Sequence, residues 1–355
     1  MSSFFDSRYE QMEAYVPGEQ PADRRYIKLN ANETSMPPSP KVLDALNSEE
    51  ILGMGLYSDP YCTKLREAVA SVYGVEADQI FVGNGSDEVL SFCFLSFFGE
   101  SSKICFPDIT YYFYHTYSKT FNLDALEIPL REDYTIDIKD YINTDRHVII
   151  ANPNAPTGYR LSRRELREII AAKKDRLVIV DEAYVDYGNE SCVELIKEFP
   201  NLIVIQTFSK SRNLAGLRLG YAIASREIIE DMNKIKFTFN PYNLSALTIA
   251  AGTAAILDTG YYKNCIEETI RVREETAEDL RAKGFYVMKS HTNFLFVKHD
   301  KIHASDYYIR LKEEGILTRY FNSDRIKDYL RITIGTKAEM DEVIRATEKI
   351  LVEYC

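Results

Sequence analysis

Three short apolar runs set the strongest limit on what this chain can fold into: "HVIIANP" from His147, "RLVIVDEAY" from Arg176 and "LIVIQTFSK" from Leu202. None alternates polar with apolar residues, as a half-exposed strand would, so each reads as a strand buried on both faces. "QIFVGNG", "KICFPD", "ALEIPL" and "LGYAIA" are further runs of this kind. Amphipathic stretches separate them. In "YCTKLREAVASVYG", Leu65, Val69, Val72 and Tyr73 share one face and Gly74 ends the period. "DEVLSFCFLSFF", "TYYFYHTYSKTF", "RRELREIIAAKKD" and "CVELIKEFP" also read as helices. Buried strands alternating with helices predict an α/β domain on a largely parallel sheet.

The periodicity also divides the chain. Residues 1–38 are polar and proline-rich and read as an extended arm. At Ser39, "SPKVLDALNSEE" opens like a capped helix, with proline in its first turn. Near residue 240 the pattern changes to long helical periods, "SALTIAAGTAAIL" and "KNCIEETIRVREETAEDLRAKG". "FYVMKSHTNFLFVKH", "ASDYYIRLKEEG", "ILTRYF", "YLRITIG" and a closing helix follow. The expected organisation is an arm (1–38) packing with the small domain, a large domain (39–243) and a small α+β domain (244–355).

Composition excludes several functions. A formal charge of −11 argues against general affinity for nucleic acid or acidic lipid, while allowing a local basic pocket. The six cysteines are scattered, without a CxxC pair or a His-Cys cluster. That is a reduced, intracellular pattern, neither a disulfide framework nor a zinc site. No signal-peptide pattern opens the chain, and no window has the roughly 18 apolar residues of a membrane span. A soluble cytoplasmic protein is expected, without nucleic-acid or membrane partners and without a metal.

Polar residues gather where the parallel strands end, which is where open α/β sheets bind ligands. "VIVDEAY" places Asp181 at a strand end with Tyr184 just beyond, and "VIQTFSK" ends in Thr207, Ser209 and Lys210. Arg218 follows in "SRNLAGLRLG". "FVGNGSDE" turns sharply into a helix and presents the amides of Ser86 and Asp87, a ready anion site. Each feature alone is weak; their joint order is specific.

In that order and spacing, "NPNAPTG", "DEAY", "TFSKSRNLAGLRLGY" and "LRITIGT" resemble the fold-type I pyridoxal-phosphate (PLP) aminotransferases. Within them the chain is most similar to the histidinol-phosphate aminotransferases, from "AYVPGEQP" and "LNANE" through "LYSDPYCTKLREAVA" to "YLRITIGT". The resemblance implies a mostly parallel seven-stranded sheet between helices, a smaller α+β domain, and PLP as cofactor. It also implies ping-pong transfer from histidinol phosphate to 2-oxoglutarate, giving imidazole acetol phosphate and glutamate, within histidine biosynthesis. Lys210 would hold the cofactor aldehyde as an imine and move protons, and Asp181 would keep the pyridine nitrogen protonated. Tyr184 would donate to the ring's phenolate oxygen, and Tyr111 would stack on the ring. Ser86, Asp87, Thr207, Ser209 and Arg218 would bind the phosphate.

Tyr57 would reach the cofactor of a neighbouring subunit, making the active unit a homodimer with shared sites. On the substrate side, Arg331 matches the family's carboxylate clamp and Arg319 a second arginine completing a dianion site. Tyr15 and Asn32 lie on the arm expected to close over substrate, and Tyr242 is a further pocket wall. One departure stands out. The residue before "PTG", commonly an asparagine donating to the ring oxygen, is Ala155. Asn154 is the favoured replacement, with Asn152 or Tyr184 alone as alternatives. A threonine-phosphate decarboxylase-like lyase and an aromatic or broad-range aminotransferase are the rival readings.

Overall fold

The computed structural model describes residues 18–46, 51–188 and 190–354, together with residues 2, 4–6, 9 and 12. Strands are numbered along the chain, beginning with β1 (Ile27–Lys28) in the arm. The seven apolar runs form one sheet: β2 (Ile80–Gly83), β8 (Gly220–Ala224), β7 (Leu202–Thr207), β6 (Val178–Asp181), β5 (His147–Ala151), β3 (Lys103–Pro107) and β4 (Asp124–Ile128), in that spatial order. β8 alone runs antiparallel to its neighbours β2 and β7. Both faces are covered over the inner strands, as their unbroken apolar runs require, while the edge strand β4 is exposed except at Ile128. Val148, Ile150, Val178, Val180, Leu202 and Val204 face one helical layer, which includes Leu65, Val69, Leu166 and Ile170. Ile149, Ile179, Ile203 and Ile205 face the other, against Leu90, Phe94 and Met232.

Local chemistry places the helix ends. Helix Arg163–Ala171 begins with a reciprocal capping box: the Ser162 amide donates to Glu165 Oε2 (2.8 Å) and the Glu165 amide to Ser162 Oγ (3.3 Å). Helix Thr63–Tyr73 stops at Gly74, whose φ of 64° is left-handed. The expected helix "CVELIKEFP" is only a five-residue 3₁₀ stretch, Val193–Lys197. Val193, Leu195 and Ile196 are all buried there, and Pro200 blocks continuation. Conversely, helix Arg226–Phe239 lies outside the stretches read as helical from sequence. Its signals are the Ser225 cap and the spacing of Ile229, Met232 and Lys236 on its buried face.

A second, antiparallel sheet joins β12 (Arg319–Tyr320), β13 (Leu330–Thr333), β10 (Phe294–His299) and β9 (Phe285–Val287). Helices Ala304–Glu313 and Lys337–Tyr354 pack with it through Leu311, Met340 and Val343. In the arm, β1 pairs in parallel with β11 (Ile316–Leu317), and Leu29 joins the small core. Packing runs on across the expected boundary between 243 and 244. Helix Ala246–Leu257 puts Ile249, Ala251 and Ile256 into the large-domain core, beside Leu65 and Val69. The 24-residue helix Thr259–Ala282 then carries Tyr262 in the large core and Val272, Ala277 and Leu280 in the small one. At about 36 Å it is long enough to serve both. The change from buried strands to long helices near residue 240 marks a change of element type, not of core.

Candidate active site

At the carboxyl edge of the large sheet, β5 ends at Ala151, β6 at Asp181, β7 at Thr207 and β2 at Gly83. β8, running the other way, enters at Gly220, the register partner of both Thr207 and Gly83. Every large-domain site residue expected from the sequence, except Tyr57, Tyr242 and Tyr111 (which follows β3), lies on these strands or on the loops and helices that follow them.

An anion cradle forms where β2 turns into helix Ser86–Phe97. The first amides of a helix have no carbonyl one turn earlier to bind, so those of Ser86 and Asp87 are available to an anion. Gly85, at φ 85°, lets the turn pass beneath Arg218: a Cβ there would lie 2.6 Å from Arg218 Nη2. A Cβ on Gly220 would press onto the Ser86 amide nitrogen itself. Arg218 Nη2 pairs with Asp87 Oδ2 (3.2 Å), and its Nη1 donates to Ser209 Oγ (3.5 Å). The Thr207 hydroxyl donates to Ser209 Oγ at 3.1 Å. Tyr111 donates to Asp87 Oδ1 at 2.7 Å, so its ring stands beside the cradle. A guanidinium, two hydroxyls and helix-start amides make a donor set suited to a phosphate.

Beside the cradle, Asp181 is 4% exposed, and burial pushes its carboxyl up to about 6. A Tyr114 hydrogen bond to Oδ2 (2.9 Å) and the Ala183 amide on Oδ1 (3.1 Å) oppose that rise, as does the charge of Lys210. Sequence reasoning missed Tyr114. Its signal was its position one helical turn after Tyr111, which puts both tyrosines on one face. Lys210 Nζ donates to Ala31 O (3.4 Å) and stands 5.6 Å from the Tyr184 ring centre. Tyr184 OH accepts from Asn32 Nδ2 at 2.8 Å.

The "NPNAPTG" loop is tied to itself and its neighbours. Asn154 Nδ2 donates to Ile109 O (2.9 Å) and Thr157 Oγ1 (3.0 Å), while its Oδ1 accepts from Thr110 (2.8 Å). Both amide hydrogens are engaged, so the expected one-place shift of the ring-oxygen donor to Asn154 is not what this arrangement offers. Asn152 is likewise bound to Leu161, through its Nδ2 to the carbonyl (3.1 Å) and its Oδ1 from the amide (2.7 Å). Tyr184 retains a proton to give, because its oxygen is the acceptor from Asn32. Ala155 packs in an apolar cluster with Tyr184, Tyr187 and Phe294.

Arg319 and Arg331 are direct register partners on β12 and β13. Both guanidinium carbons lie over the Phe321 ring, at 5.6 and 5.4 Å, and Arg331 Nη2 donates to Asn30 O (3.0 Å). Like charges directly opposite on adjacent strands are unfavourable, and a bound dianion relieves the repulsion. Phe321, which the sequence did not single out, spaces the pair. Asn32, expected to meet substrate, instead directs its side chain to Tyr184 and Thr333. Tyr57 and Tyr242 stack on each other at 4.6 Å, and both rings are exposed. Tyr15 lies outside the described residues.

A family model described as aminotransferase class I and II matches residues 24–346. The chain is 48% identical over 352 residues to the histidinol-phosphate aminotransferase of Brachyspira hyodysenteriae, spanning 99% of each. It is 44% identical over 351 residues to that of Clostridium botulinum strain Okra, again spanning 99% of each. A solved histidinol-phosphate aminotransferase from Sinorhizobium meliloti, in complex with pyridoxal-5'-phosphate, has the same fold, with a TM-score of 0.90 at 23% identity. That match covers 100% of this chain and 99% of the other. The strand-edge lysine, carboxylate and anion cradle therefore stand in a sequence of known kind: the chain belongs to the class I and II aminotransferases.

Proposed function

We propose that the chain transfers the amino group of histidinol phosphate to 2-oxoglutarate, giving imidazole acetol phosphate and glutamate. The convergence of Lys210, Asp181 and the Arg218 cradle at one sheet edge carries this reading, supported by full-length identity to relatives of that name. The cofactor is pyridoxal phosphate, which when bound supplies an aldehyde that exchanges with the substrate amine and a ring that withdraws electrons. The Ser86 and Asp87 amides, Ser209, Thr207 and Arg218 would hold its phosphate. Asp181 would face the ring nitrogen, Tyr184 the ring oxygen, and Tyr111 the ring face. Lys210 would anchor the aldehyde and then carry the proton to or from the substrate carbon. Arg319 and Arg331 would clamp the phosphate of one substrate and the distal or α-carboxylate of the other, which explains one site serving both.

The proposal includes a homodimer in the cytoplasm. Leu52, Met54, Leu56 and Tyr57 are exposed by 84%, 53%, 81% and 84% on a single segment, an apolar strip suited to a second copy. Tyr57, with Tyr242 stacked on it, would then reach the partner's site. Cys62, Cys93, Cys105 and Cys192 are buried free thiols, which suits a reducing compartment. Among the described residues no helix is long and apolar enough to cross a membrane.

Incubation with histidinol phosphate and 2-oxoglutarate should yield glutamate; no glutamate, with carbon dioxide released from threonine phosphate, would overturn the assignment. Replacing Arg331 with lysine keeps the charge but loses the planar fork. We expect kcat/KM to fall about 10- to 100-fold for both half-reactions in stopped-flow assays. Mixing Lys210→Ala with Tyr57→Ala subunits should restore activity above the sum of the two parents, because the hybrid dimer contains one intact shared site. Asp181 makes a pH prediction for the cofactor-free protein. Its folded pKa lies above the unfolded value near 3.9, so its ionisation costs stability progressively as pH rises from about 4 to about 6, and the loss is complete above. Cofactor-free Asp181→Asn should therefore unfold at a higher temperature than the cofactor-free parent at pH 7.5. The advantage, on the order of 2 kcal/mol, should shrink toward pH 4 in calorimetry.

A further inference from the structure

Asn32 occupies a position that a merely structural residue would not need. It is 2% exposed, 54° in φ, and bound through every polar group it has. Its backbone amide donates to Thr333 Oγ1 (3.0 Å), and its carbonyl accepts from Asn293 Nδ2 (3.0 Å). The Thr333 hydroxyl, already accepting from that amide, gives its own proton to Asn32 Oδ1 (3.1 Å). In this arrangement the Thr333 hydroxyl spends its proton on Asn32 Oδ1. With Oδ1 on the Thr333 side, Nδ2 must be on the other, where it donates to Tyr184 OH at 2.8 Å. An amide nitrogen cannot accept, so the Tyr184 proton is directed away from Asn32.

We propose that Asn32, held by Thr333, is a positioning residue that fixes the Tyr184 hydroxyl with its proton toward the ring oxygen of the bound cofactor. The proposal rests on the role assigned to Tyr184 above. It matters more in this chain than it would with an asparagine at position 155. Ala155 has no donor, both amide hydrogens of Asn154 are engaged by Ile109 and Thr157, and the Asn152 amide turns to the Leu161 carbonyl. Tyr184 is left to serve the ring oxygen, and a phenol that can rotate its proton is a poor donor unless something sets it. Phe294, the register partner of Thr333, packs edge-on against Tyr184 at 5.4 Å and fixes the ring plane. The titratable neighbours of Tyr184 are Lys210, at 5.6 Å, and Tyr111, Tyr114 and Tyr187, with Arg331 beyond Phe294.

The test is the visible absorbance of the holoenzyme's bound cofactor titrated against pH, which reads the cofactor without turnover. A donor to the ring oxygen stabilises its negative charge and so weakens its hold on the proton of the adjacent lysine-linked nitrogen. Losing the donor therefore raises the midpoint. Asn32→Gly removes the side chain while accepting the left-handed backbone. It should raise the midpoint by about half to one pH unit. Asn32→Asp, whose carboxylate would draw the Tyr184 proton to itself, should raise it further. Thr333→Val should shift it the same way, by less. In a Tyr184→Phe background, Asn32→Gly should add nothing. An unchanged midpoint in Asn32→Gly, with a raised one in Tyr184→Phe, would overturn the role of Asn32 alone. An unchanged midpoint in Tyr184→Phe would overturn the reading of Tyr184 and this proposal with it. A full Asn32→Gly shift persisting without the tyrosine hydroxyl would place the effect elsewhere and also overturn it.

Discussion

A carboxylate carried into a dry interior by the end of a parallel strand is the constraint on which this site depends. β6 delivers Asp181 between β5 and β7, where water is excluded and the charged form is penalised. Two donors, Tyr114 and the Ala183 amide, recover part of that penalty but not all of it. On the function proposed above, a protonated ring nitrogen would relieve the remainder, and the destabilised carboxylate would be an exchange of stability for function.

The rest of the site is arranged at fixed distances from that strand end. Because β8 is antiparallel, Gly220 enters beside Thr207 and Gly83, and its missing side chain lets the start of helix Ser86–Phe97 approach the sheet. Arg218 crosses over Gly85 for the same reason. Opposite, the arm joins the two cores. β1 extends the small domain, Leu29 enters its core, and three residues later Asn32 reaches Tyr184 of the large domain. The arm thus links β13, through Asn30 to Arg331, and the large domain, through Asn32 to Tyr184.

Much of this was legible before any coordinates. The seven runs became the seven strands; for the inner ones the reason is that a run apolar on both faces has no stable place except a covered sheet, while β4 is an exposed edge. Lys210, Asp181 and Arg218 were singled out by their order around such runs, Asp181 closing one, Lys210 following one and Arg218 preceding one. Tyr114 was hidden among many tyrosines, since nothing in composition says which hydroxyl turns inward. Helix Arg226–Phe239 carries only a serine cap as its signal, and a run of alanines and leucines such as Ala246–Leu257 does not say which core it enters.

The sequence by itself determined the fold class, the order of the strand-end groups and the family, because periodicity and motif spacing are properties of the chain. Only the tertiary structure decided what each amide does. From the sequence, Asn154 is the favoured donor with Asn152 as an alternative, and Asn32 is an arm residue expected over the substrate. Folding ties Asn154 to Ile109 and Thr157 and Asn152 to Leu161, and directs Asn32 onto Tyr184. The direction of a hydrogen bond depends on which partners reach it in space, and those partners come from residues up to 301 positions apart.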